Sequence, residues 1–466
     1  MERHVLDPEG LAVFKASVRG GVLQPDDPGY DSARRVWNGM IDRRPALIAR
    51  CLGNADVIAS VNFARQTGLS LAVRGGGHNV AGTSTCDGGL MLDLSAMRGV
   101  RVDPGARTVR VQGGALWGDV DRETQLFGLA TPSGYVSTTG VAGFTLGGGY
   151  GGLRRKFGMT CDNLVSADVV TADGQLRVAS ERENSDLFWA LRGGGGNFGV
   201  VTSFEFKCHP VGPIVFMGAP MYAMEDAGAV LRGWRDFMAT APEEVSSNVL
   251  FWSLPPAPVF PEPLHGRPIL IIAAMYAGDA EQGARVLQPL RELAAPLIDI
   301  SSPMPYVVAQ SAFDPFFPHG VLRYYWKAID LDGMGDDVIE NLVAIAKERP
   351  SPHTAMPLWH FGGAMSRVDP TATAFWRRKT PFMVSFDSIW EQPQDDQRAV
   401  AWARNAVATM RAHGAGGEYV NFAGLAEDGD AQVRASYGGN YERLVDIKRK
   451  YDPTNLFRLN VNIPPG

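Results

Sequence analysis

Apolar positions fall into two regimes along the chain, short runs broken by glycine before about residue 210 and longer helical or alternating segments after it. Val57, Ile58, Val61 and Ala64 recur at helical spacing behind Asn54 as N-cap, with Gly68 as the stop. That predicts a helix between strands at Leu47–Cys51 and Leu69–Val73. The mixed stretch before it, Tyr30 to Ala46, reads as helix, turn and strand entry. Strands at Leu90–Leu94 and Arg107–Val111, helices at Ala115–Phe127 and Ser185–Leu191, and an alternating strand at Val201–Lys207 continue the pattern. From Val211 to about Gly416, helical patterns at Glu225–Ala239, Asp279–Leu293, Asp336–Glu348 and Gln394–His413 alternate with aromatic-rich strands. These are Ser247–Leu254, Pro268–Tyr276, Tyr324–Ile329, Met356–Gly362 and Phe382–Trp390. This order predicts a sheet backed by helices, its other face free to cover a ligand. The proline-bearing loop Ser301–His319 is long enough for a lid and equally for a surface excursion. A last helix at Asn440–Tyr451 ends at Asp452-Pro453, and Asn460 and Asn462 then share one face of an extended segment expected to return to the first half.

The strand before Gly75 stops at Arg74-Gly75-Gly76-Gly77-His78-Asn79. Three consecutive glycines let N–H groups turn toward one spot without Cβ interference, a nest for phosphate oxygens, with Arg74 as added positive charge and His78 in reach of what the phosphate carries. A glycine-rich hairpin with an incidental histidine is the plainer alternative. Further glycine-dense stretches run from Pro132 to Gly152 and from Gly193 to Gly199. Three clusters in one half fit a single extended dinucleotide touched at several points better than three unrelated loops. The last two contain GxGxxG (Gly147, Gly149, Gly152; Gly194, Gly196, Gly199), yet neither has the strand before and helix after that a nicotinamide dinucleotide site requires. They are read as accidents of glycine content.

The chain has 466 residues, which favours two domains. A net charge of −6 gives no electrostatic reason to expect nucleic acid or an anionic membrane, so a small-molecule partner is expected. The start lacks an apolar leader and no run approaches a membrane span, so a soluble, cytoplasmic protein is expected, as monomer or homodimer. Cys51, Cys86, Cys161 and Cys208 lie far apart without a CxxC pair, against both a metal site and a disulfide framework.

Taken together, Arg74-Gly-Gly-Gly-His78, Gly88–Leu94, Gly147-Gly-Gly-Tyr-Gly151, Arg155-Lys-Phe-Gly158 with Asp162-Asn163, Leu187–Gly199 and Tyr451–Arg458 resemble the FAD-linked oxidases of the vanillyl-alcohol oxidase and berberine bridge enzyme type, over almost the whole chain. The resemblance implies an α+β flavoprotein of two domains. Residues 1–210, completed by 425–466, would bind FAD, and residues 211–424 would form a substrate domain with a mostly antiparallel sheet backed by helices. It implies FAD bonded through His78, with Arg74, Gly75, Gly76, Gly77, Asn79, Ser137, Thr138, Gly140, Gly143, Gly147, Gly149, Gly199, Val201, Asn421, Asn460 and Asn462 as further cofactor contacts. Members with a second flavin bond carry a cysteine where Val136 stands, so attachment through His78 only is expected. Cys161, outside that position, reads as a buried structural thiol.

Relatives remove a substrate proton with tyrosines that match Tyr150 and Tyr419, the latter in Glu418-Tyr419-Val420-Asn421. A phenol of pKa about 10 is a poor base near neutrality, so a cation must help or Tyr419 only orients the substrate. The strand before Gly362-Gly363 lacks the acidic residue of similar proteins, which makes His360 the base candidate against a plain strand residue. Thr139 holds the position that gates oxygen. The resemblance thus implies hydride transfer from a small organic substrate to FAD and reoxidation by O2. A dehydrogenase using another acceptor, or a flavin-binding protein without turnover, are the alternatives; the last requires Tyr150, Tyr419 and His360 all to face away from the flavin.

Overall fold

A computed structural model describes residues 7–414, 416–424 and 429–466 of the protein. The expected start of a cofactor-binding tail segment at residue 425 therefore lies outside the described residues, as does the extreme N-terminus.

Val22–Leu23, Leu47–Arg50, Leu90–Asp93 and Leu71–Arg74 form a four-stranded sheet in that order, with the last three strands parallel. Helix Asn54–Thr67 covers it, ended by Gly68 in the left-handed conformation. Its preceding residue is Gly53 rather than the expected cap Asn54, and the buried Asp56 carboxylate accepts instead from the Leu52 N–H at 2.7 Å. A second, antiparallel sheet runs Val100–Asp103, Thr108–Gln112, Val200–Lys207, Leu164–Val170 and Leu176–Ser180. Helix Ser185–Leu191 falls where the pattern places it. The C-terminal helix Tyr441–Tyr451 docks in the same core, and buried Lys448 donates to the Asn197 and Phe457 carbonyls and pairs with buried Asp452.

From Ile214 the chain builds a nine-stranded antiparallel sheet among the described residues. Five of its strands, in spatial order ending at the edge, are Pro268–Tyr276, Val245–Ser253, Met356–His360, Phe382–Trp390 and Arg323–Leu331. Helices Ala227–Thr240, Asp336–Lys347 and Asp396–Met410 bury one face through Trp234, Met238, Ile339, Leu342, Ala403 and Met410. The other face looks back at the glycine-rich half. The helix expected over Asp279–Leu293 is interrupted into Ala280–Val286 and Gln288–Arg291, where Pro289 supplies no N–H to a continuous ladder. The stretch Tyr30–Ala46 holds one helical turn, Tyr30–Ala33, and the supposed lid contains strand Ser302–Pro305 and helix Tyr306–Ser311.

Two adjacent arginines bolt the halves together. Arg154, fully buried, gives its N–H groups to the carbonyls of His360, Ser247 and Gly151 and to the Tyr135 hydroxyl. Arg155 serves the carbonyls of Ala241, Pro242 and Val245.

Candidate active site

Between the glycine-rich half and the open face of the large sheet lies a cavity of about 610 Å³, within the roughly 300–1,000 Å³ typical of ligand sites. Gly75, Gly76 and Gly77 line one end. Among the described residues their N–H groups have no acceptor in the protein. Glycine is required at position 76 because a Cβ there would sit 2.5 Å from the Gly140 Cα. At Gly143 a Cβ would meet nothing within 4 Å, and at Gly196 only the Asn460 amide at 4.0 Å, so both leave room for a flat ligand against main chain. Asn460 and Asn462 complete this end, their buried amide oxygens unpartnered. The Asn460 amide nitrogen is tied to the Gly196 carbonyl at 3.1 Å.

His78 stands beside the nest, its ring stacked on Trp37 at 4.3 Å, with Trp37 stacked in turn on Tyr324 at 3.7 Å. Burial, with a smaller push from His319, lowers its pKa to about 3, so the imidazole is neutral. Thr138 Oγ1 lies 3.4 Å from its Nε2. Tyr150 and Tyr419 share the cavity wall, ring centroids 4.9 Å apart. The Tyr419 hydroxyl oxygen accepts from the Gly149 N–H at 3.0 Å and the Asn421 amide at 2.9 Å. Burial still raises both phenols. They are protonated near neutrality, and the Tyr150 hydroxyl turns to the Met383 sulfur.

Of the other expected contacts, Asn79, Thr139, Gly140, Gly199, Val201 and Asn421 line the cavity. Arg74 does not: its guanidinium forms a two-pronged pair with Asp93 at 2.9 and 2.6 Å and donates to the Ala33 and Arg35 carbonyls. Ser137 is likewise engaged elsewhere, its N–H and hydroxyl both on Asp314 from the supposed lid. Thr138 touches His78 without reaching the wall. Gly147 packs under the Asn421 side chain and Gly149 works through its N–H to Tyr419, one layer behind the surface. His360 is on the wrong face of its strand. Side chains alternate along Met356–His360, and since Pro357 and Trp359 line the cavity, His360 points to Trp234 and Phe382 beneath the helices. Its Nδ1 is buried without a partner.

The carboxylate missing from that strand appears on the next one. Asp387, on Phe382–Trp390 and opposite Trp326 in register, lines the cavity and holds the Ser385 hydroxyl. Burial, opposed only by that hydrogen bond, raises its pKa to about 7. Asp387, Trp37, Trp326 and Asn248 are not singled out by the sequence. Only the parity of each strand could find the last two and Asp387, given one known cavity-facing neighbour. Cys86 and Cys161 are buried free thiols away from the cavity wall, whereas Val136 lies on it.

Residues 45–180 match the FAD binding domain family, and residues 418–464 the berberine and berberine-like family. An FAD-linked oxidoreductase of Dictyostelium discoideum is 33% identical across 97% of this chain and 96% of its own length. The chain belongs to the berberine bridge enzyme-like FAD-linked oxidoreductases. The (R)-6-hydroxynicotine oxidase of Paenarthrobacter nicotinovorans is 31% identical across 96% of this chain and 97% of its own. The crystal structure of 6-hydroxy-D-nicotine oxidase from Arthrobacter nicotinovorans superposes with a TM-score of 0.86 at 29% identity, covering 97% and 99% of the two chains. This oxidoreductase therefore has the two-part α+β flavoprotein fold with the large antiparallel sheet, and FAD is its cofactor. The residues fit that group: unpaired nest N–H groups, open space over Gly143 and Gly196, and two unpartnered amide oxygens suit a polar, flat, phosphate-bearing molecule. Among the described residues no helix is long and apolar enough to cross a membrane, and no cluster of metal-ligating side chains occurs.

Proposed function

We propose that this oxidoreductase is an oxidase that takes a hydride from a small organic substrate and returns the electrons to O2, with FAD bonded through His78 alone. The observation that carries this reading is the convergence of His78, Tyr150 and Tyr419 on one cavity that starts at the glycine nest. Residues 1–210 with 425–466 act as the FAD domain and 211–424 as the substrate domain. When bound, FAD supplies a two-electron acceptor. The neutral imidazole of His78, held flat by Trp37, has the free lone pair that bond formation needs. Tyr419 has both oxygen lone pairs engaged by Gly149 and Asn421, so its O–H is left to donate into the cavity and orient a substrate heteroatom. Thr139 and Val136 sit on the same wall, where Val136 leaves His78 as the single anchor.

Acid-precipitated, fully loaded protein should stay yellow, and its His78 peptide should carry the FAD mass. A colourless pellet would defeat the covalent claim. His78→Ala should lose its flavin on precipitation. After anaerobic bleaching by substrate, admission of air should restore the colour within seconds; persistent bleaching would favour a dehydrogenase.

A further inference from the structure

Residues 306–320, from the half that carries the large sheet, reach across to the glycine-rich half in two places beside His78. Helix Tyr306–Ser311 opens this segment. The amide of buried Gln310 donates to the Ser133 hydroxyl at 2.6 Å and to the Gly134 carbonyl at 3.0 Å, and the Tyr306 hydroxyl stands 3.5 Å from the same serine oxygen. Asp314 follows. Its two carboxylate oxygens take the Ser137 N–H at 2.8 Å and the Ser137 hydroxyl, and the residue after Ser137 is Thr138, whose hydroxyl meets His78 Nε2 at 3.4 Å. The same segment also holds the plate on which the imidazole lies. The Phe317 carbonyl accepts from the Trp37 indole N–H at 3.2 Å, and the Gly320 N–H donates to the Trp37 carbonyl at 2.8 Å. The hydroxyl at the edge of the ring and the indole on its face are thus both set from 306–320.

Helix Trp117–Gln125 of the glycine-rich half fastens the loop by its carbonyls, Gly118 N–H to Ser137 at 2.8 Å and Trp117 N–H to Thr139 at 3.0 Å. The Ser137 N–H and hydroxyl are left to Asp314. Two hydrogen bonds from one residue to a carboxylate fix both its place and its direction, because a charged acceptor makes the stronger bonds. We propose that Asp314 is a positioning residue for the bond between His78 and FAD: by fixing Ser137 it keeps the Thr138 hydroxyl on Nε2 and holds the imidazole at the angle that bond formation requires. The inference deepens the reading above and rests on attachment through His78. In that reaction the imidazole gives up its N–H proton, the 8α-methyl carbon of the flavin loses one C–H bond, and a C–N bond replaces them. The two protons and two electrons released go to O2, which leaves as H2O2. The part of Asp314 is geometry, and a reacting group misplaced by about 1 Å loses on the order of 100-fold in rate. Neither Asp314 nor Ser137 is among the described residues that line the cavity, so flavin binding itself is left to the nest.

The test follows attachment and not turnover. Full-length protein from a short expression is incubated in air with excess FAD, samples are precipitated in acid at intervals, and flavin is measured in pellet and supernatant. Asp314→Ala should attach flavin about 10-fold more slowly than wild type while binding as much FAD in total. Asp314→Asn keeps an oxygen for the Ser137 N–H and should come within about threefold of the wild-type rate. Thr138→Val should slow attachment about as much as Asp314→Ala, and the double variant should fall no more than about twofold below either, because both changes cut one chain of contacts. Attachment at the wild-type rate in Asp314→Ala, an Asp314→Asn variant no faster than Asp314→Ala, losses that multiply in the double variant, or loss of FAD binding itself would overturn the inference. Flavin that washes wholly out of wild-type pellets would instead defeat attachment through His78, and the inference with it.

Discussion

Gly75–Gly77 and Gly196 offer one side of the cavity nothing but main chain, whereas Asn248, Trp326, Trp359 and Asp387 offer the other side chains drawn from four strands. The difference follows from what each side meets. A phosphate and a flat ring system are bound by repeated N–H donors and by close approach, both of which glycine supplies through contiguous motifs. A variable small molecule is distinguished by side-chain chemistry, and a sheet face projects every second residue independently. One wall should therefore tolerate almost no added atoms, and the other should tolerate exchange with a loss of selectivity alone.

The sharpest test of this contrast is Gly76→Ala. One methyl at 2.5 Å from the Gly140 backbone forces the nest and the loop before Val141 apart, an overpacking cost of about 1–3 kcal/mol. FAD content, read from the visible-to-ultraviolet absorbance ratio, should fall to near zero and turnover with it. Normal loading would show that the two loops are not held as described. Next in size is Tyr419→Phe, which strands the Gly149 N–H and the Asn421 amide and should lower kcat roughly 10- to 100-fold with flavin retained. An unchanged kcat would remove Tyr419 from the substrate's path. Val136→Cys should leave turnover largely intact while producing, in part of the molecules, a second flavin adduct found by peptide mapping. Its complete absence would mean that the stretch 132–140 does not bring that side chain to the flavin. The smallest effect is expected of His360→Phe. Because the ring faces the helices and its Nδ1 has no partner, turnover should stay within about twofold, an energy difference below about 0.5 kcal/mol, with no fall in Tm. A large loss of kcat there would break the division into two walls.

The same contrast explains which parts of the molecule are legible in its amino-acid sequence. Strands Pro268–Tyr276 and Phe382–Trp390 and helix Ser185–Leu191 have the bounds their patterns predict, since period and punctuation agree along each. The glycine nest and His78 are equally legible because the chemistry and the local backbone coincide in one stretch. Arg74 misleads because its partner Asp93 sits opposite it only through a parallel pairing of strands 19 residues apart. His360 misleads because a strand buried on both faces shows no alternation in polarity, so nothing in the sequence marks which parity faces the cavity. Asp387 stays hidden for the same reason, inside a strand whose nine residues are all buried. Trp37 lies outside any periodic element, and only the packing of distant Tyr324 makes it the plate under His78.

The tail segment carries a consequence for how the molecule is made. Asn460 and Asn462 close the same end of the cavity as Gly75–Gly77, and the Ile463 N–H seals it by donating to Asn197 at 3.0 Å. A chain still growing on the ribosome can fold the parallel sheet and display the nest long before those residues have been added, but it cannot enclose a dinucleotide. Capture of FAD therefore waits for residues 460–463, and until they have been made the nascent protein carries an open, glycine-lined cleft.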